Sequence, residues 1–404
     1  MRLEIIKTFF EGFSIKYIVI LLPFWLEFID FKNLAVYIPG FPYTLGMVFF
    51  MLNGIPRIKM NDWNNSIVKA LLIIFVGVLI GSFFGEFVKE SLSRSIGWIP
   101  VIFSIIGCSY FFEDKWFKRF VDLFFIIILV KWSIYALDVT FSGGTIVSYS
   151  DAFFIDKNAL NHHLPGLYIS FSSIYLINRF CINKNYYTFF AYIILAFSAS
   201  MCILIESRSN LLFLLFTFFI GLYYLKQKIS GLIFGSAFII LLVFFIFSYF
   251  FSDIDFISQR FDTSDSEYLE STNRGRTSVY EGFLPTFLSH PLGKGIKDIY
   301  IEIGLDFKIL VHNQYATFVI AGGIISLIGV IFLLSGFNRI SKNVFSNVRK
   351  IDMSELAIFF CVLIFLLTLT TIEIFGGTIA NFMFSMLVYL GRKHVLKFEK
   401  YKLS

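Results

Sequence analysis

Between Asn273 and Gly323 the chain collects charged and polar residues, although elsewhere it is mostly phenylalanine, isoleucine and leucine. Arg274 and Arg276 stand two apart, followed by Tyr280 and Glu281, and the stretch reaches His312-Asn313-Gln314-Tyr315. Arg208 lies upstream in Glu206-Ser207-Arg208-Ser209. A guanidinium offers a planar fork of donors that fits phosphate oxygens two at a time, so these arginines are suited to an anionic ligand. An imidazole held neutral can take a proton near neutral pH. Plainer readings stand beside these. The arginines can pair with Asp265, Glu267, Glu270 or Glu206, and His312 can simply sit among lipid headgroups.

The elements that would position these residues can be read from residue spacing. Val279, Phe283 and Phe287 recur every four residues, as do Tyr280, Leu284 and Leu288, which predicts an amphipathic helix over 277–289. Ser278 with Glu281 fits a capping box, and His290-Pro291 ends the helix. Arg274 and Arg276 then stand at its start, where unpaired N–H groups already favour an anion. Such a helix beside a bilayer lies on the membrane surface or packs across the helix bundle. Arg208 and His312 each stand at the mouth of a long apolar run, and a helix start disfavours the imidazolium form of His312. His162 and His163 open another apolar run but lack a third metal ligand nearby. Asp253-Ile254-Asp255 has paired carboxylates, yet the acid-rich surroundings explain it, so no metal is expected.

Hydrophobic residues make up 57% of the 404, charged residues 15%, and 55 are phenylalanine. No water-soluble core buries that much apolar surface, so the chain must be solvated by lipid. The net charge of +6 is then a topology signal rather than a sign of nucleic-acid binding. The four cysteines fall in or beside apolar runs without metal-ligand spacing, and no removable signal peptide is read at the N-terminus.

Crossing a hydrocarbon core of about 30 Å takes roughly 20 residues of helix. On that basis the expected fold is an all-α polytopic membrane protein with about twelve spans. They lie near 14–31, 33–52, 66–87, 95–112, 118–138, 163–180, 186–205, 210–226, 230–251, 313–337, 354–374 and 377–391. The chain divides into spans one to nine over 1–251, a large loop over 252–311, and three further spans with a tail over 312–404. About two thirds of all Lys and Arg fall in one alternating set of loops, which makes both termini cytoplasmic. Arg208, Arg274 and Arg276 are on the other face, where arginine is not needed for topology. Lys131 falls inside the fifth span and is expected to be a buried charge facing a cavity, with Asp138 or Glu373 as candidate partners.

Several of these stretches together resemble the C-terminal signature of the O-antigen polymerase and ligase superfamily. They are Gly275-Arg276 followed by Tyr280, His290-Pro291-Leu292-Gly293-Lys294-Gly295, His312-Asn313-Gln314-Tyr315 and Gly322-Gly323-Ile324-Ile325-Ser326-Leu327. Glu206-Ser207-Arg208-Ser209 is similar to the upstream Ser/Thr-Arg motif of that family, and Tyr280 stands where Trp is frequent. The resemblance implies a C-type glycosyltransferase of the bacterial inner membrane, with its large loop and active site facing the periplasm. Its substrate would be an oligosaccharide carried on undecaprenyl diphosphate, with no cofactor, and a membrane protein that regulates chain length as a partner. The family's catalytic positions map to Arg208, Arg276 and His312, with Arg274 as a further diphosphate ligand. Tyr280, Glu281, Asn313, Tyr315 and His163 become candidate substrate contacts.

Two readings compete within the family. A polymerase joins lipid-linked repeat units, and a ligase moves the polymer to lipid A core. His312-Asn313-Gln314-Tyr315 looks more like the polymerase branch. Outside the enzymes, a flippase for lipid-linked sugars is the rival, but the two halves of the chain show no matching pattern.

Overall fold

The computed structural model describes residues 55–141, 163–181, 187–204, 208–224, 281–297, 300–303, 307–310, 313–348, 350–370 and 378–394. Nearly all of these are helical. Apolar runs become α1 (Ser66–Gly81), α2 (Val88–Ile96), α3 (Trp98–Cys108), α4 (Lys115–Phe141), α5 (His163–Leu176, closing in a π turn to Cys181), α6 (Tyr187–Leu204) and α7 (Arg208–Tyr224). Residues 281–289 form α8. The chain ends in α9 (Gln314–Ser346), α10 (Met353–Thr368) and α11 (Thr378–His394). Helices thus stand at nine of the twelve expected spans; 14–31, 33–52 and 230–251 lie outside the described residues. Among the described residues, two helical stretches, Val88–Glu113 and Gln314–Ser346, are long and apolar enough to cross a membrane; Ser66–Gly81 and Met353–Thr368 are apolar but shorter.

Large apolar side chains point outward along these helices, among them Ile134, Leu212 and Ile331 at 61, 65 and 57% exposure. In a chain this apolar such surfaces are covered by lipid, and the protein is a membrane protein. Inside, aromatic rings tie the helices together. Trp132 of α4 stacks on Tyr168 of α5 with centroids 5.1 Å apart, and Phe125 stacks on Tyr175 at 4.3 Å. Phe124 of α4 meets Phe382 of α11 edge-on at 5.5 Å.

The closest packing joins α1 and α9, which run antiparallel. Gly77 and Gly81 of α1 face Ser326 and Ala321, and Gly329 and Gly336 of α9 face Ile74 and Ile67. A Cβ at Gly329 would lie 2.8 Å from the Ile74 amide nitrogen, so small residues here let the two backbones touch. Ser326 adds a hydrogen bond from its Oγ to the Ile74 carbonyl at 3.0 Å.

One end of the bundle is rich in ion pairs. The Arg392 guanidinium lies 3.6 Å from the Tyr110 ring centroid, 3.9 Å from Asp62 and 3.6 Å from Glu113. Tyr110 donates to Asp62 at 2.6 Å, Arg179 donates to Asp122 at 3.0 Å, and Lys393 and His394 meet Glu355. Lys118 pairs with Asp352 at 3.6 Å. Burial works against the Asp352 carboxylate, yet the Ser354 hydrogen bonds and the Lys118 charge hold it below the usual carboxylate value. These contacts bring together the start of α1, the α3–α4 turn, the end of α5, the α9–α10 turn and the end of α11. They are the segments whose lysines and arginines charge sorting assigns to the cytoplasm.

One expected helix boundary needs correction. The helix expected over 66–87 ends at Gly81, where the Ser82 hydroxyl bonds back to Val78 and the chain turns through Gly85. The apolar run continues through Phe83 and Phe84, but both are exposed and not part of α1. Beside the helices of this all-α fold, β1 (Tyr300–Ile303) and β2 (Phe307–Leu310) form a short antiparallel hairpin, Tyr300 opposite Leu310. Both strands are short runs of aromatic and branched residues, which suit a pleated edge better than a helix. Lys131 lines an open apolar recess with Ile126, Ile127, Val130 and Ile134 on the outward face of α4, partly buried, its ammonium 5.4 Å from the Trp132 ring centroid. Glu373 lies outside the described residues.

Candidate functional site

The helix starts that carry candidate residues gather at the end opposite the ion pairs. Arg208 is the first residue of α7 and His163 the first of α5. Ser170 of α5 donates to the carbonyl of Asn210 at 3.3 Å, so the first turn of α7 lies beside the middle of α5. Gln314 at the start of α9 donates its N–H to Leu369 at the end of α10, 2.9 Å away. Asn313 caps α9: its side-chain oxygen accepts from the N–H groups of Tyr315 and Ala316 at 3.0 and 3.1 Å. Tyr315 donates its hydroxyl to the Leu366 carbonyl at 2.8 Å, which commits that group to holding α9 on α10. Arg274, Arg276, Tyr280 and His312 lie outside the described residues; Glu281 is exposed at the start of α8.

Helix α8 runs through Pro285 to Ser289, where the expected stop at His290-Pro291 stands. Of the two placements expected for an amphipathic helix, it takes packing on the bundle. Phe283 and Phe287 stack on each other at 6.4 Å and pack on the bundle core, while Leu284 and Leu288 are exposed on the other side at 57 and 66%.

The loop after α8 explains the glycines of the motif. Pro291–Gly295 is wedged against α9 at Gly322-Gly323, where the helix is broken: Gly323 has φ 60° and ψ −149°. A break leaves carbonyls and N–H groups without helical partners. Here the loop supplies them, with Lys294 and Gly295 donating to the Ile320 and Ala321 carbonyls at 3.0 and 2.9 Å. Ile324 returns a hydrogen bond to the Pro291 carbonyl at 2.8 Å. Gly293 and Gly295 take φ of 94° and 77°, open to glycine and strained for other residues. The helix that follows the two arginines is therefore fastened, backbone to backbone, to the half-helix that follows His312. From sequence these glycines register only as part of a motif. The signal that would have exposed the lock is the spacing of Gly77, Gly81 and Gly85, four residues apart on α1 and the turn that follows it.

Comparison with curated proteins finds no match. Residues 193–331 match the family model described as O-antigen ligase. The matched stretch begins in α6, takes in α7 with Arg208, α8 and its loop, and ends in α9 beyond the break. Through residues 193–331 the chain is similar to the O-antigen ligase family, which supports the resemblance to the O-antigen polymerase and ligase superfamily.

Proposed function

We propose that this protein is an O-antigen polymerase that joins undecaprenyl-diphosphate-linked repeat units on the periplasmic face of the bacterial inner membrane. The observation that carries the reading is the lock between α8 and α9, which ties the segment after Arg274 and Arg276 to the segment after His312. The bond to be broken joins an anomeric carbon to a diphosphate. Charge grows on the diphosphate oxygens as it leaves, and Arg208 and Arg276, with Arg274, stabilise it without a metal. The attacking group is a sugar hydroxyl on the second lipid-linked unit, from which His312 takes the proton, with inversion at the anomeric carbon. Asn313 fixes the direction in which the chain leaves His312, and Tyr315 anchors the same turn. Tyr280, Glu281 and His163 face the sugars. The activated carrier supplies the driving force, and a chain-length regulator binds in the membrane beside the enzyme.

The direct test is synthesis by the purified protein from lipid-linked single repeats, with no lipid A core present. A ladder of longer chains that survives EDTA is expected. A ligase would leave the single repeats unchanged until core was added, and a flippase would form no glycosidic bond under either condition.

The proposed arrangement has twelve spans, with 1–251 holding nine, 252–311 as the periplasmic loop and 312–404 holding three and the tail. Both termini are cytoplasmic in it. Cys108, Cys202 and Cys361 are buried and give little background to a membrane-impermeant thiol reagent. Applied from the periplasmic side, the reagent should label Ser264→Cys and spare Ser346→Cys. The reverse pattern would place the arginines and His312 on the wrong face for this chemistry.

A further inference from the structure

At the ion-paired end of the bundle, the segment before α1 and the α3–α4 turn enclose an open recess of about 500 Å³. Its lining includes Arg57, Ile58, Lys59, Tyr110, Glu113 and Asp114. Sites for small molecules have volumes of about 300–1,000 Å³, so the recess can take a headgroup-sized ligand. Helix α3 ends at Cys108, α4 begins at Lys115 and α1 begins at Ser66. The recess therefore lies where helices leave the hydrocarbon, level with lipid headgroups.

The two segments bring opposite charges. Arg57 and Lys59 come from the first, and both are exposed. The Arg57 guanidinium lies 4.3 Å from the Phe111 ring centroid, and the Lys59 ammonium lies 5.8 Å from that of Tyr110. Among the described residues neither pairs with a carboxylate. Glu113 and Asp114 come from the second segment. Glu113 meets Arg392 through Oε1 at 3.6 Å, but 57% of its side chain is exposed, which leaves Oε2 open to a second cation. Asp114 caps α4 by accepting from the Trp116 N–H at 2.8 Å and keeps a further interaction within the chain. Asp62 and Arg392 are engaged with each other and with Tyr110, and neither they nor exposed Lys115 line the recess. The lining charges thus cancel, two against two.

A rim that satisfied itself would pair its own opposite charges. Here the cations rest on aromatic rings and the carboxylates are turned to other partners, an arrangement that suits a ligand carrying both signs. Positive charge at this end also follows from topology alone. That plainer role predicts a preference for anionic lipid and none for an ammonium group.

We propose that this recess binds the phosphoethanolamine headgroup of a membrane lipid, its phosphate on Arg57 and Lys59 and its ammonium on Glu113. The purified full-length protein is titrated with phosphatidylethanolamine, phosphatidylcholine and phosphatidylglycerol of the same acyl chains, and the first bound lipid is read by native mass spectrometry. The ethanolamine lipid should be held roughly tenfold more tightly than the choline lipid, whose methylated nitrogen keeps its charge but donates no hydrogen bond. Glu113→Gln should abolish that preference and turn it towards the glycerol lipid. Arg57→Gln combined with Lys59→Gln should weaken binding of the ethanolamine lipid by a similar factor at an unchanged melting temperature, and Arg57→Gln alone takes their place if the pair does not fold. Equal binding of ethanolamine and choline lipids, or unchanged binding in the folded neutral variant, would overturn the assignment. A preference of the unaltered protein for the glycerol lipid would reduce Arg57 and Lys59 to topology charges. Displacement of the lipid by free phosphoethanolamine at equal concentration would give the recess to a soluble ester instead.

Discussion

Cells whose only copy of this protein carries His312→Ala should display lipid A core bearing a single repeat unit, with the variant present in the membrane at its normal level. The alanine is tolerated at that position because Asn313 provides the cap of α9, through hydrogen bonds to the N–H groups of Tyr315 and Ala316. Removing a general base costs about 10²–10⁴-fold in rate, enough to abolish a visible ladder. A separate ligase still attaches the single units that accumulate, which gives the core-plus-one band. Bare core together with long polymer held on the carrier would instead identify a ligase. An unaltered ladder would reduce His312 to a residue at the level of the headgroups.

The second large effect is expected at Gly323. Its backbone lies in a region open to glycine, and a Cβ would sit 2.5 Å from the Leu292 carbonyl carbon and 2.6 Å from the Gly293 nitrogen. The atoms in the way are main chain and cannot swing aside. Strain in such a conformation costs about 1–3 kcal/mol, and displacing the loop adds the loss of its hydrogen bonds to α9. Gly323→Ala should therefore lower stability by roughly 3 kcal/mol or more, read as a fall in melting temperature in detergent. Gly221→Ala is the control: its Cβ would meet only ordinary contacts, the nearest the Phe360 ring at 3.4 Å, and alanine favours a helix. Equal melting temperatures for the two variants would mean that the break does not hold the bundle together.

The two positions show what a sequence of this kind reveals. Apolar runs located nine helices because solubility in lipid is a property of composition, summed residue by residue. Hydropathy has no direction, however. It placed Lys131 within a helical run but did not say which way it faced, and it carried the helix after Ser66 past Gly81 because Phe83 and Phe84 are as apolar as what precedes them. Gly322-Gly323 lies within an apolar run and reads as helix. Its break becomes visible only when the loop from Pro291 to Gly295 is brought against it. The hairpin at Tyr300–Leu310 was hidden by its shortness. Of the candidate site, the residue types and the helix starts were legible, and so was the stop of α8 at His290. The lock that joins α8 to α9 was not, because it is made of main-chain groups that every residue carries.

The pairing of α1 with α9 also has a bearing on how the chain is made. Ser326 bonds to a carbonyl 252 positions earlier, and Asn65 reaches the carbonyl of Val388 across 323 positions. At a synthesis rate of about 5–20 residues per second, Ile74 leaves the ribosome roughly 10–50 s before its partner exists. During that time the glycine face of α1 lies in the bilayer without the helix that fits it. Insertion and assembly are thus separate events for this protein. The first helix of the described bundle can take its final neighbours only after nearly the whole chain has been translated.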